Sequence, residues 1–87
     1  MYEEISVLSI NGSDSTARAG LQADARTITA LGGFALTAVT SVTTQGRQGI
    51  SSVHDLPAGM VAGQVRAILQ ESRPQAVKVG LLRHADT

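Results

Sequence analysis

The chain has 87 residues, enough for one small domain whose buried surface barely offsets its chain entropy. Seven basic and seven acidic side chains cancel, and one Tyr, one Phe and no Trp leave little to stack on, so nucleic acid finds neither field nor aromatic platform. With no cysteine, a disulfide framework, a thiolate nucleophile and a Cys-based metal site are all excluded within these residues.

The opening MYEEISVLSI carries two glutamates and a short apolar stretch broken by serine, unlike a secretory leader. The apolar window ITALGGFALTAVTSV falls short of the roughly 20 residues that cross a bilayer, so a cytoplasmic protein without membrane attachment is expected. Ile5, Val7, Leu8 and Ile10 form a near-continuous apolar run, the mark of a strand covered on both faces in a parallel sheet. After a polar loop, Leu21, Ala25, Ile28 and Leu31 recur at helical spacing, and Gly32 and Gly33 can end that helix. FALTAVTSVT, from Phe34 to Thr43, is rich in β-branched residues and sets Phe34, Leu36, Ala38 and Val42 on one face of a second strand. TQGRQG reads as a loop, and ISSVHDL as either a short extra strand or an extended connection. Pro57 suits the first turn of a second helix with Val61, Val65, Ile68 and Leu69 as its stripe and Met60 in its core, until SRP stops it. AVKVGLL gives the next strand.

The order β-α-β-α-β specifies an α/β parallel sheet with right-handed crossovers. Ligands of such sheets sit beyond the carboxyl ends of the strands, here Asn11–Asp14, Thr43–Gly46 and Gly80–Arg83. Asp86 and Thr87 are helix N-cap types, and a three-stranded sheet with two helices leaves apolar faces uncovered. The expectation is therefore the front part of a larger protein, or a chain that completes its core against another, most simply as a homodimer.

The loop NGSDSTARAG resembles a phosphate cradle by position, between a strand and a helix, yet it lacks the lysine of a P-loop and the three close glycines of a dinucleotide fingerprint. Its Asp14 and the nearby Asp24 would also repel a phosphate. What it offers is Gly12 for close backbone approach, several hydroxyls and the Asp24 carboxylate, with Gln45 at the next strand end. The carboxamide of Gln45 sets a donor beside an acceptor, which matches the edge of an aminopyrimidine. Asp24 could accept from an amine or hydroxyl.

SINGSDSTARAGLQADARTITALGG, AVTSVTTQGRQGI and AVKVGLL together resemble the leading segments of the hydroxymethylpyrimidine and phosphomethylpyrimidine kinases of thiamin biosynthesis, which have the ribokinase-like fold. The resemblance spans nearly the whole chain and implies that residues 1–87 form the N-terminal portion of a single kinase domain. It implies that Gly12, Asp24 and Gln45 contact the pyrimidine while Thr43 and Leu81 flank its ring. It also implies that ATP and Mg²⁺ are held, and the general base supplied, by later segments, so that this chain alone should not transfer a phosphoryl group. The chain departs from the family at Ala17 and Arg18, where two glycines are usual, at Gly46 in place of Asn and at Leu81 in place of Met.

Simpler roles stand beside these. Asp14 suits a turn or helix cap, Lys78 an edge residue or the partner of a buried charge, and Arg47 and Arg83 solvated loop positions. His54 and His84 lack neighbouring ligand types, so no metal site is expected. A pyridoxal-type kinase, a non-catalytic module that binds a vitamin precursor and a plain dimerising domain are the alternatives.

Overall fold

A computed structural model describes residues 5–80. Its elements are β1 (Ser6–Asp14), α1 (Gly20–Ala30), β2 (Phe34–Gly46), β3 (Gly49–Asp55), α2 (Ala58–Glu71) and β4 (Ala76–Val79). They build one four-stranded sheet in the order β3-β2-β1-β4. β1 lies parallel to β2, from Ser6 opposite Phe34 to Asp14 opposite Thr43, and parallel to β4 on its other side. The α/β class and the parallel centre are as expected. The segment left open between strand and connection is a strand, β3, and it runs antiparallel to β2 through a turn at Arg47 and Gln48. Thr44 to Gly46, read from the sequence as the start of a loop, consequently belong to β2.

β1 extends past the apolar run to Asp14 because backbone pairing with β2 continues where hydrophobicity stops. The pairing slips between Asn11 and Ser13, so that Gly12 faces both Thr40 and Ser41 of β2. An extra residue of this kind reverses the alternation that follows it. Ala38 is buried as expected, but Val42, assigned from period two to the same face, lies beyond the slip and is exposed, as is Phe34 at the strand's start.

α1 lies over the face of β1 that carries Val7, Ser9 and Asn11. Leu21 is its buried anchor, with Ala25 and Ile28 half-buried. Leu31, expected on the same stripe, is exposed because it is the C-cap and has left the helical path. The stop is a paired one: Gly33 N–H donates to Ile28 O at 2.9 Å and Gly32 N–H to Thr29 O at 3.0 Å, with Gly32 at φ 89° where a side chain would be strained.

α2 begins after Pro57 and buries Val61. Met60, expected in the core, is exposed, since it lies one position off that anchor. Gln64 joins helix to sheet: its Oε1 accepts from Val39 N–H at 2.9 Å and its Nε2 donates to Val39 O at 2.9 Å. A side-chain amide thus stands where a neighbouring strand would pair, just before β3 takes over at Ser41. Among the described residues the buried apolar side chains are few, Leu8, Leu21, Ala38 and Val61, while Val77 and Val79 of β4 are exposed.

Candidate functional site

The carboxyl ends of β1 and β2 and the start of α1 enclose an open hollow of about 220 Å³. Gly12, Thr43 and Gln45 of the sequence-derived set line it, together with Asn11, Ser41 and Ile50. Asp24 is not among the lining residues, and Leu81 lies outside the described residues.

The loop that opens the site is organised by Asp14. Its Oδ1 accepts from Thr16 N–H and Thr16 Oγ1, both at 2.8 Å, and its Oδ2 from Ala19 N–H at 2.9 Å. The Thr16 N–H is the strongest influence on this carboxyl group; with the Thr16 hydroxyl and the Ala19 and Arg18 N–H groups it outweighs burial and holds the pKa below the usual 3.8. A phosphate would need those same donors, so the loop does not fit one. Asp14 therefore caps the loop, as the simpler reading of the sequence had it. Gly20, at φ 66°, ends the loop with its Cα against the Gly12 carbonyl, where a Cβ has no room. Ala17, where the resemblance read from the sequence implies glycine, takes φ 59°, a left-handed conformation that glycine adopts without strain.

Two further side chains hold the rim. Gln22 bridges α1 to β1, accepting from Asp14 N–H at 2.9 Å and donating to Ser13 Oγ at 2.7 Å. The Ser15 hydroxyl accepts from Gln45 N–H at 2.9 Å and donates to Gln45 O at 2.7 Å. The backbone of Gln45 is thereby fixed, while its carboxamide makes no hydrogen bond among the described residues. Thr43 Oγ1 donates to Ser13 O at 2.9 Å, which turns its methyl group away from that bond. Beneath Gly12 sits the buried hydroxyl of Ser41, without a hydrogen-bond partner among the described residues; a Cβ on Gly12 would come within 2.8 Å of it.

Asp24 forms a second cluster behind this wall. Its Oδ1 accepts from Lys78 Nζ at 2.7 Å, and its Oδ2 from Ser9 Oγ at 2.7 Å and Asn11 Nδ2 at 3.0 Å. Burial pushes the carboxyl pKa up, but the Lys78, Asn11 and Ser9 hydrogen bonds and the Lys78 charge prevail, so the net displacement is downward. Of roughly four acceptor positions on a carboxylate, three are filled among the described residues, with one on Oδ1 not taken by them. Lys78 is accordingly the partner of a largely buried charge, and its own side chain stays half-exposed.

Sequence reasoning did not single out Asn11, Ser41 or Ile50. Asn11 had a signal, a polar residue directly after the run ISVLSI. Ser41 and Ile50 had none, because only the slip in β1–β2 pairing and the β2–β3 hairpin bring them to the hollow. Among the described residues no group of three His, Cys, Asp or Glu could hold a metal ion, and no helix is long and apolar enough to cross a membrane.

Residues 14–87 match the family model described as phosphomethylpyrimidine kinase. The chain is 50% identical over 76 residues to the hydroxymethylpyrimidine/phosphomethylpyrimidine kinase of Mycobacterium leprae, covering 87% of this chain and 27% of that protein. It is similar to the crystal structure of a phosphomethylpyrimidine kinase from Clostridium difficile, with TM-score 0.89 and 36% identity over 93% of this chain and 35% of that one. A pyridoxal kinase from Staphylococcus aureus in complex with AMP-PCP and pyridoxal matches with TM-score 0.83 and 34% identity, over 93% of this chain and 30% of that one. The chain thus spans about a third or less of these relatives.

Proposed function

We propose a function from one premise: the chain belongs to the phosphomethylpyrimidine kinase family. On our reading the whole protein transfers a phosphoryl group from ATP to the hydroxymethyl arm of 4-amino-5-hydroxymethyl-2-methylpyrimidine, or to its monophosphate, in thiamin biosynthesis in the cytoplasm. These residues furnish the ring-binding side. The observation that carries it is Gln45, which lines the hollow with its backbone locked by Ser15 and its carboxamide unbonded among the described residues, so that a paired donor and acceptor are available for the edge of an aminopyrimidine.

Gly12 lets the ring approach the backbone, Thr43 forms a flank, and Asp24 keeps one acceptor position for a ligand amine or hydroxyl. Leu81, outside the described residues, is assigned the opposite flank on the resemblance alone. ATP would supply the phosphoryl group and Mg²⁺ would offset its charge; no residue of this chain is assigned to either, and the β1–α1 loop does not accommodate a phosphate. Positioning a phosphoryl group is most of such catalysis, so residues 1–87 alone should bind the ring without turning it over. The homodimer remains part of the proposal and is checked by light scattering on the whole protein.

Calorimetric titration of the aminopyrimidine into the whole protein tests the assignment. Gln45→Ala should weaken binding about tenfold, the equivalent of one to two lost neutral hydrogen bonds. Unchanged affinity would remove the recognition role. The pyridoxal kinase neighbour supports a second reading, that the ring is pyridoxal, and a strong preference for pyridoxal in turnover would put it first.

A further inference from the structure

Among the described residues, Asn11 is the one shared between the Asp24 cluster and the hollow. Its Nδ2 donates to Asp24 Oδ2 at 3.0 Å, and its Oδ1 accepts from Gly12 N–H at 2.8 Å. These contacts fix which way the amide points, because a carboxylate only accepts and a peptide N–H only donates. Gly80, at the end of β4, lies flat against the same amide, and any side chain there would overlap it. The amide is therefore clamped between β1, α1 and the end of β4, and Asn11, 7% exposed as a residue, lines the hollow.

We infer that Asn11 is a positioning residue for the ring site: it saturates Asp24 Oδ2, holds the Gly12 peptide in its orientation, and sets a neutral amide on the lining of the hollow beside the ring. The inference rests on the ring-binding reading above. Without the amide, a partly buried carboxylate oxygen would lose a donor and the Gly12 N–H would lose its acceptor, and a neutral ring would have to cover both unsatisfied. Among the described residues, the Asp24 carboxylate from α1 meets Asn11, with Lys78 from β4 on its other oxygen, and β2 carries no charge from Phe34 to Gly46.

The test uses Asn11→Ala and Asn11→Asp in the whole protein, with aminopyrimidine titrated calorimetrically at about pH 8 and pH 5. Each affinity is divided by that of the unmodified protein at the same pH, so the ligand's own titration cancels. An aspartate at position 11 keeps the shape of the amide and can still accept from Gly12, but it donates to Asp24 only when protonated. The adjacent negative charge and the burial both raise its pKa, and the pair titrates as a unit. Expected are about tenfold weaker binding for Asn11→Ala at both pH values, and for Asn11→Asp a similar loss at pH 8 that recovers to within about threefold at pH 5. Recovery on protonation is a readout that loss of packing would not produce, and it needs only the isosteric variant to fold, which melting by circular dichroism establishes. Asn11→Asp binding as tightly as the unmodified protein at pH 8, or equally weakly at both pH values, would overturn the inference. If Gln45→Ala loses affinity while both Asn11 variants keep it, this inference fails alone. A protein that binds no ring would remove the reading beneath it as well.

Discussion

Gly20 is the residue on which the opening loop turns. Its φ of 66° and the contact of its Cα with the Gly12 carbonyl leave no place for a side chain. Gly20→Ala should destabilise the whole protein by about 2–4 kcal/mol, combining a left-handed alanine with overpacking. A melting temperature unchanged by the substitution would contradict that geometry. At this scale the sequence was informative where chemistry is local. Asp14 could be assigned to a turn from its type and neighbours, and Gln45 could be placed on the rim at the carboxyl ends of the strands. What Asp24 touches could not be read, because Lys78 reaches it from 54 residues away and Ser9 from 15.

The elements show a similar division. Period and punctuation located both helices and the parallel strands, since burial of an apolar stripe and the chemistry of glycine and proline are written into neighbouring residues. They did not show that β2 continues through TTQG into a hairpin, or that one residue of β2 is extra opposite Gly12. Both depend on backbone pairing, which side-chain pattern records only weakly. Nor did they show the attachment of α2 through Gln64. Gln64→Leu keeps a similar volume but leaves the Val39 N–H and C=O without their side-chain partner. A loss of about 1–3 kcal/mol is expected in denaturant unfolding of the whole protein, and stability equal to the unmodified protein would show that water replaces the amide.

For the molecule as a whole, acid is the informative variable. The Asp14 and Asp24 carboxyl groups both have folded pKa values below their usual 3.8, so the unfolded chain binds more protons as pH falls. Their contribution to stability is full above that usual value and is lost as pH drops through the lower folded values. The melting temperature should hold between about pH 5 and 7 and fall steeply below about pH 4. Asp24→Asn should lower the plateau and flatten the acid limb, and a curve of unchanged shape would show that the Asp24 cluster takes no part in it. The Gln64 amide has a last effect, on how copies of the chain meet. Exposed strand margins invite a second polypeptide to zip alongside, and a plug at Val39 interrupts that template where β3 gives out. A side chain that anchors a helix should thus also discourage fibrous association, and turbidity of Gln64→Leu at high protein concentration, measured against the unmodified protein, checks it.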